Sequence, residues 1–528
     1  MFPNVFAANR RFPLLVVICS SLLQAMLAVA IAFSMRDVFA AFSLIHNDIN
    51  DLPWKAIAVI LCASVFIVFL RILEKCVAEH LSQLFVKELR IALYNQISRM
   101  PYEAISEHKI GSLQIRFIGD LTAIKNWIGI AIPSLIAAIC LLPALLYLLY
   151  SLHPNLAIAG SIAAITSVVL MQVLSPQLRS AHQRLRENRG NLASFVSSRL
   201  EQANYLRILG LRKKITGQIK VRSDNVRSSA MNKAAFVNGF KSIPELSLQL
   251  LALGCLSSAM LLQMSAAEGA IILAILAIFQ RPLQDLAGFW DKRHAYCISR
   301  KKCQQILNSK SMTAGKKQKI DANADLQLKV AKITQRSIPF PAFTCSSGDV
   351  VQISGGSATG KSSFLHMLVG LSLPEKGRIE FNGLTANQLN EYIRNQTIYF
   401  QGSNIAVFNS TLRSSLILGI SHKVSEERIY ASIRKAGINE TIEKIGGIDA
   451  KVKENGKNLS TTDINRIGLC RLLLTRAPFV FVDDISRFED LADFDLVEEL
   501  MSNRKRILVY SNTDDSAALS LKVKRLNK

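Results

Sequence analysis

Charge and cysteine are what this sequence lacks most. Asp, Glu, Lys and Arg make up 19% of its 528 residues, against about 25% in an ordinary soluble protein. Half of the residues are hydrophobic and the mean hydropathy is +0.25. That excludes intrinsic disorder, because so much apolar surface must be buried. Nine cysteines are sparse for this length and none stands in a CxxC or CxxH pair, which excludes a secreted disulfide scaffold. Cys19, Cys62, Cys140 and Cys255 lie in apolar runs and read as small packed hydrophobes. Acidic residues are the scarcer sign, 39 against 63 basic ones, for a net charge of +24. Such an excess points to nucleic acid or to a membrane. Basic and aromatic side chains are not interleaved, so a nucleic-acid partner is set aside.

What the sequence has in quantity is uninterrupted apolar chain. Residues 12–35 hold no charge, a run of 24 that can cross a hydrocarbon core of about 30 Å and is too long for a signal peptide. A second run, 56–70, continues without Gly or Pro into an amphipathic stretch, 71–99. Residues 126–178 carry no formal charge over 53 positions, with turn chemistry at Ser151-Leu152-His153-Pro154-Asn155 in the middle. Two spans joined by a tight hairpin fit, with His153 as a turn residue. The expected spans are about 12–35, 54–73, 126–150, 156–178, 246–267 and 269–290, in an α-helical domain over 1–308.

Segment 176–241 holds 14 basic and three acidic residues, whereas the loop 36–55 holds two and three. Basic loops stay inside. The N-terminus, 71–125, 176–241 and everything after about 281 are therefore expected in the cytoplasm, at a cell inner membrane. The lipid bilayer accounts for most of the net charge. The long segments between spans read as helices projecting from the membrane. Trp127 and Trp290 read as interfacial anchors, Met260 and Met264 as packing residues, and Arg281, Asp285, Lys292 and Arg293 as a solvated helix. No charge sits mid-span to mark an ion path.

The second half changes character. Residues 309–325 are rich in Lys and polar residues and read as a linker. Over 326–528 apolar strands alternate with helical segments, the pattern of an α/β domain with a largely parallel sheet. Gly355-Gly356-Ser357-Ala358-Thr359-Gly360-Lys361-Ser362 matches GxxxxGK[ST] at every specified position. The strand Val350-Val351-Gln352-Ile353 precedes it, and a helical run begins at Ser363. Glycines let backbone N–H groups turn toward phosphate oxygens, and the helix N-terminus adds partial positive charge. Lys361 reaches the β and γ phosphates of ATP, and Ser362 is a Mg²⁺ ligand. Downstream, the strand Val480-Phe481-Val482 ends in Asp483 and Asp484. After a phosphate loop, the first carboxylate holds Mg²⁺ and the next polarises the attacking water.

Six spans followed by this nucleotide-binding pair resemble a half-transporter of the ATP-binding cassette (ABC) superfamily with exporter architecture, over nearly the whole chain. Tyr399-Phe400-Gln401 resembles the Q-loop, and Leu459-Ser460-Thr461-Thr462-Asp463 stands where the family has LSGGQ. Gly111-Ser112-Leu113-Gln114-Ile115-Arg116 with Asp120 resembles the region leading to the first coupling helix, and 205–214 the second. The resemblance implies that two subunits, as a homodimer or a heterodimer with a second half-transporter, sandwich ATP between their cassettes. It implies Gln401 as a Mg²⁺ contact and Ser460 as an ATP contact.

Departures from the family pattern are as informative. Both signature glycines are lost, and Asp463 adds a negative charge. The catalytic Glu is Asp484, one methylene short. The switch histidine is Asn512. No aromatic residue lies between Lys332 and Arg336, where one would stack on adenine. The reading is an ATP-driven exporter subunit with slow hydrolysis and an unidentified substrate. The alternative is a non-hydrolysing, nucleotide-gated partner in a heteromeric membrane complex.

Overall fold

Apolar runs can satisfy their own backbone in hydrocarbon as helices. In the computed structural model they form six helices long and apolar enough to cross a membrane. These are Ala8–Phe42, Trp54–Ser98, a composite helix from Arg116 to Leu152, Pro154–Leu200, Arg212–Leu261 and Ala266–Leu307. Described residues are 2–3, 8–42, 53–106, 113–114, 116–200, 202–261, 266–312, 325–335, 338–502, 505–513 and 519–525. Part of the 36–55 loop, Gly111, Ser112, Ile115, Met264, most of the expected linker and Arg336 lie outside them.

The helix Pro154–Leu200 has 47 residues, about 70 Å at 1.5 Å per residue. That is more than twice a hydrocarbon core, so these helices run well past any bilayer. Pro176, Pro244 and Pro282 sit inside long helices, as membrane helices tolerate. Leu145, Leu149, Leu156, Leu251, Ile275 and Phe279 form a buried core between helices. Val65, Phe69, Ile158, Ile162 and Ile165 are exposed, an outer face that only lipid or another apolar surface would cover. The helix Ile132–Leu152 ends at His153 in extended conformation, and the Asn155 N–H donates to His153 Nδ1 at 3.3 Å.

Two expectations about side chains in this region need correction, and the first is Met260, read as a packing residue but 82% exposed. Trp127 stacks on Tyr296 with ring centroids 5.0 Å apart and meets Phe289 at 4.9 Å. Trp290 donates from Nε1 to Gln172 Oε1 at 3.3 Å. Both rings are half-buried against neighbouring helices, which gives each a fixed partner alongside the interfacial role expected from sequence. Arg281 and Asp285 are not simply solvated: they line a cavity inside the helical unit.

The chain divides into two compact units, Met1–Ser98 with Glu107–Ser309, and Arg99–Ser106 with Lys310–Lys528. The second unit therefore takes in the short helix Tyr102–Ser106, which lies within the 1–308 domain expected from sequence. Its central sheet has the order Ser520–Arg525, Asp349–Gly355, Ile507–Thr513, Phe479–Val482, Ile398–Gln401. The last four strands are parallel and the first is antiparallel. Phe479–Val482 is buried throughout, and its alternation divides two cores. Phe479 and Phe481 pack with Phe364, Leu365 and Phe381 on one face. Val480 and Val482 pack with Leu469, Leu472 and Phe488 on the other. A strand covered on both faces reads as a continuous apolar run, which is why four consecutive apolar residues stand before Asp483.

Candidate functional site

Parallel strands deliver their C-terminal ends to one edge of a sheet, where ligands of open α/β folds bind. Here Val482 pairs with Gln401 and with Tyr510, and Asn512 and Thr513 pair with Ser354 and Gly355. The phosphate-loop sequence, Asp483, Gln401 and Asn512 therefore leave the sheet at the same edge, although up to 157 positions of sequence separate them.

The loop from Gly355 to Gly360 joins the strand Asp349–Gly355 to the helix Lys361–Leu368. Gly360 caps that helix with φ +95°, a left-handed conformation, and a Cβ there would lie 3.4 Å from the Phe340 ring. Glycine meets both constraints. Ala358 is also left-handed, at φ 64°. Ser357, Ala358, Ser362 and Ser363 are exposed and Gly356 and Thr359 half-buried; Thr359 Oγ1 donates to Gly356 O at 2.9 Å. Lys361 Nζ folds over the loop and donates to Gly355 O at 2.5 Å and Gly356 O at 2.8 Å.

Asp483 is buried, and its N–H donates to Gln401 O at 2.8 Å. Ser362 Oγ donates to Asp483 Oδ1 at 3.1 Å, and Ser511 Oγ donates to the same atom at 2.8 Å. A hydroxyl and a carboxylate brought together beside a backbone cradle are hard oxygen donors, which fits Mg²⁺ delivered with a nucleotide. Ser511 also accepts the Asp484 N–H at 2.8 Å. Sequence reading missed it; the available signal was its place at the end of the strand beside the phosphate-loop strand.

Asp484 sits at φ 61°, a left-handed conformation that Asp tolerates better than most residues. Its Oδ1 accepts Ser486 Oγ at 2.8 Å and its Oδ2 accepts Arg487 Nε at 2.6 Å. Arg487 is fixed in turn by donating to Ser403 O at 3.0 Å. Both oxygens of the expected base are thus engaged by its own following turn. Gln401 is buried; its Oε1 accepts the Tyr399 hydroxyl at 3.1 Å and its Nε2 donates to Gly402 O at 3.3 Å. Burial pushes the Tyr399 phenol upward, so it stays a donor to that amide.

Ser460 is not at this edge. It is the N-cap of the helix Thr461–Leu474, which packs in the other core. Its Oγ accepts the Asp463 N–H at 3.1 Å, and its own N–H donates to Asp463 Oδ2 at 2.9 Å. Thr441 Oγ1 donates to Asp463 Oδ1. Burial raises the Asp463 carboxyl, but the Ser460 and Thr441 hydrogen bonds, with Arg466 nearby, hold it below the usual carboxylate range. This is a capping box: the signature helix neutralises its own N-terminus. No aromatic side chain occupies 332–335. Phe340 is buried and stacked on Phe364, centroids 5.0 Å apart.

The short helix Tyr102–Ser106 lies earlier in the chain than the region around Gly111 expected to lead to the first coupling helix. The Tyr102 N–H donates to Leu371 O at 2.9 Å, and its ring lies 4.4 Å from His366, on the helix that follows the phosphate loop. Asp120 is instead buried in the helical unit, 3.0 Å from Arg186. Within 205–214, the helix Ala203–Ile208 leaves Tyr205 and Ile208 exposed.

Comparison with known proteins gives two family matches. Residues 14–283 match the ABC transporter transmembrane region and 341–487 the ABC transporter cassette. The ATP-dependent lipid A-core flippase of Albidiferax ferrireducens is 21% identical over 450 residues, covering 81% of this chain and 77% of that protein. That of Pasteurella multocida is 22% identical over 481 residues, covering 85% and 80%. The fold superposes on a bacterial Atm1-family ABC exporter with ATP bound, with a TM-score of 0.84 over 98% of this chain and 95% of the other, at 15% identity.

Proposed function

The chain belongs to the ABC transporter family, a multi-pass membrane protein with an ATP-binding cassette, and from that premise we propose that it is a half-transporter subunit of an ATP-dependent exporter. One observation carries the reading: the helix Tyr102–Ser106, which continues the chain from the membrane helix Trp54–Ser98, packs against the helix that starts at Lys361. Movement of the phosphate-loop helix on closing around ATP is therefore passed to a membrane helix. Two subunits, identical or different, would close over two nucleotides and switch the cavity between them from one side to the other. The backbone from Gly355 to Gly360 and the Lys361 ammonium would hold the phosphates, with Ser363 at the helix start. Ser362, Asp483 and Gln401 would hold Mg²⁺, which offsets phosphate charge. The N-terminus and the cassette would face the cytoplasm, at a cell inner membrane.

The test is nucleotide binding by the purified full chain. Lys361→Ala deletes the cation and should weaken ATP binding at least about tenfold, the worth of one charge-assisted hydrogen bond. Unchanged affinity would sink the assignment. A second reading, a non-hydrolysing nucleotide-gated partner, is favoured by the Asp484–Arg487 pair and the Ser460–Asp463 box. It becomes the better one if ATP binds and no restoration of Asp484, Asn512 or 461–463 toward the family residues raises phosphate release.

A further inference from the structure

The helical unit holds a partly open cavity of about 860 Å³ between the helices Ala8–Phe42, Trp54–Ser98 and Ala266–Leu307 and the composite helix from Arg116 to Leu152. That is room for a solute of several hundred daltons. One wall is apolar, with Ala28, Ile67, Leu141 and Ile278. The opposite character comes from Arg71, Glu74, Lys75, Glu79, Arg281 and Asp285. By count these charges cancel, but their partnerships are unequal. Glu79 Oε1 accepts Lys125 Nζ at 3.0 Å. Glu74 Oε2 accepts Gln24 Nε2 at 2.7 Å. Asp285 lies 3.9 Å from Arg281. Each of these carboxylates thus has a hydrogen-bond or ion-pair partner supplied by the protein. Among the described residues, Arg71 Nε is buried without a hydrogen-bond partner, and Lys75 enters no ion pair. Arg71 is half-buried and Lys75 exposed; a buried Nε–H without an acceptor is costly, and a carboxylate or phosphate oxyanion is an acceptor that the guanidinium fork matches.

We propose that this cavity binds an amphiphilic organic acid, presenting a carboxylate or phosphate to Arg71 and Lys75 and laying an uncharged body along the Ile67, Leu141 and Ile278 wall. The proposal rests on the exporter reading in one respect, that the bound acid is the cargo.

The test uses the full chain in phosphatidylcholine nanodiscs, without nucleotide, and three fluorescent probes of similar size: dansyl-glycine (anionic), dansyl-glycinamide (neutral) and dansyl-cadaverine (cationic). Dansyl-glycine should bind saturably and about tenfold or more tighter than the other two, the preference one charge-assisted hydrogen bond supports. Arg71→Gln with Lys75→Gln should abolish that preference. Arg71→Lys keeps the charge but not the fork and should retain a weaker anionic preference, which separates loss of the cation from loss of the fold. Competition by added phosphatidylglycerol identifies a membrane lipid as the source of the acid; its absence identifies a soluble one, and both fit the same site. Equal affinity for the anionic and neutral probes, or an unchanged preference in the double variant, overturns the anion site. The exporter reading fails separately: it falls if dansyl-glycine binds but ATP never drives it into inside-out vesicles. It survives if ATP drives the neutral probe while the anion site falls.

Discussion

Asp484 is where a single residue decides most. It stands where a proton acceptor is needed, yet Ser486 and Arg487 occupy both of its oxygens. On the proposed reading, shortening from Glu is only half of the handicap at this position; the other half is an arginine three residues on. Asp484→Glu alone should raise phosphate release little, because Arg487 can follow the longer carboxylate. Arg487→Ala with Asp484→Glu should do more than the sum of the two single changes, since both act on one group. Adding Asn512→His should raise it again. The gain should stay below the about 10²–10⁴-fold typical of a positioned general base, because Ser460 and Asp463 still cap the signature helix. Phosphate release by the purified variants, at matched ATP occupancy, checks this; a double variant no faster than the parent assigns the limit elsewhere.

At the scale of an element, the helix Tyr102–Ser106 is seated against a histidine. The His366 ring lies between Tyr102, at 4.4 Å, and Phe400, at 5.6 Å. Burial lowers its pKa from 6.5, outweighing Asp483 and Glu103, which raise it. A histidine favoured neutral in the fold supports the packing fully above its unfolded pKa of about 6.5. That support declines as pH falls through the lower folded value. Tyr102–Ser106 should therefore exchange backbone hydrogens faster at about pH 5 than at about pH 7.5, relative to the buried strand Phe479–Val482. His366→Phe, which cannot charge, should flatten the difference. Hydrogen exchange read by mass spectrometry checks it, and equal protection at both pH values would remove His366 from the argument. None of this was legible in the sequence. His366 reads there as one position of a helical run, and Tyr102 is separated from it by more than 260 residues.

For the whole molecule, six membrane helices fix an even number of crossings between the ends of the helical unit. On the proposed orientation, with the basic segment 176–241 inside, Asn155 in the turn after His153 would lie outside and Lys213 inside. Both are exposed. Single cysteines at Asn155 and Lys213, in a cysteine-free background, should label from opposite sides with an impermeant thiol reagent. Labelling from one side would break the six-span topology.

The sequence by itself determined the class of this protein. Charge-free runs long enough to cross hydrocarbon can only be helices there, and a complete phosphate-loop motif between a strand and a helix leaves few alternatives. Both signals are local in the chain, which is why the spans and Gly355 to Ser362 were legible. The expected departures at 461–463, at Asp484 and at Asn512 come from the same local reading, as residues that differ from the family motif the chain resembles. What the tertiary structure decided is who meets whom. Arg487 on Asp484, Ser511 between two aspartates, Tyr102 on His366, and Arg71 facing a cavity all depend on distances that sequence separation does not encode. Arg281 and Asp285 show the limit best. Their spacing of four describes a solvated helix as well as a cavity wall, and only the packing of four helices around them separates the two.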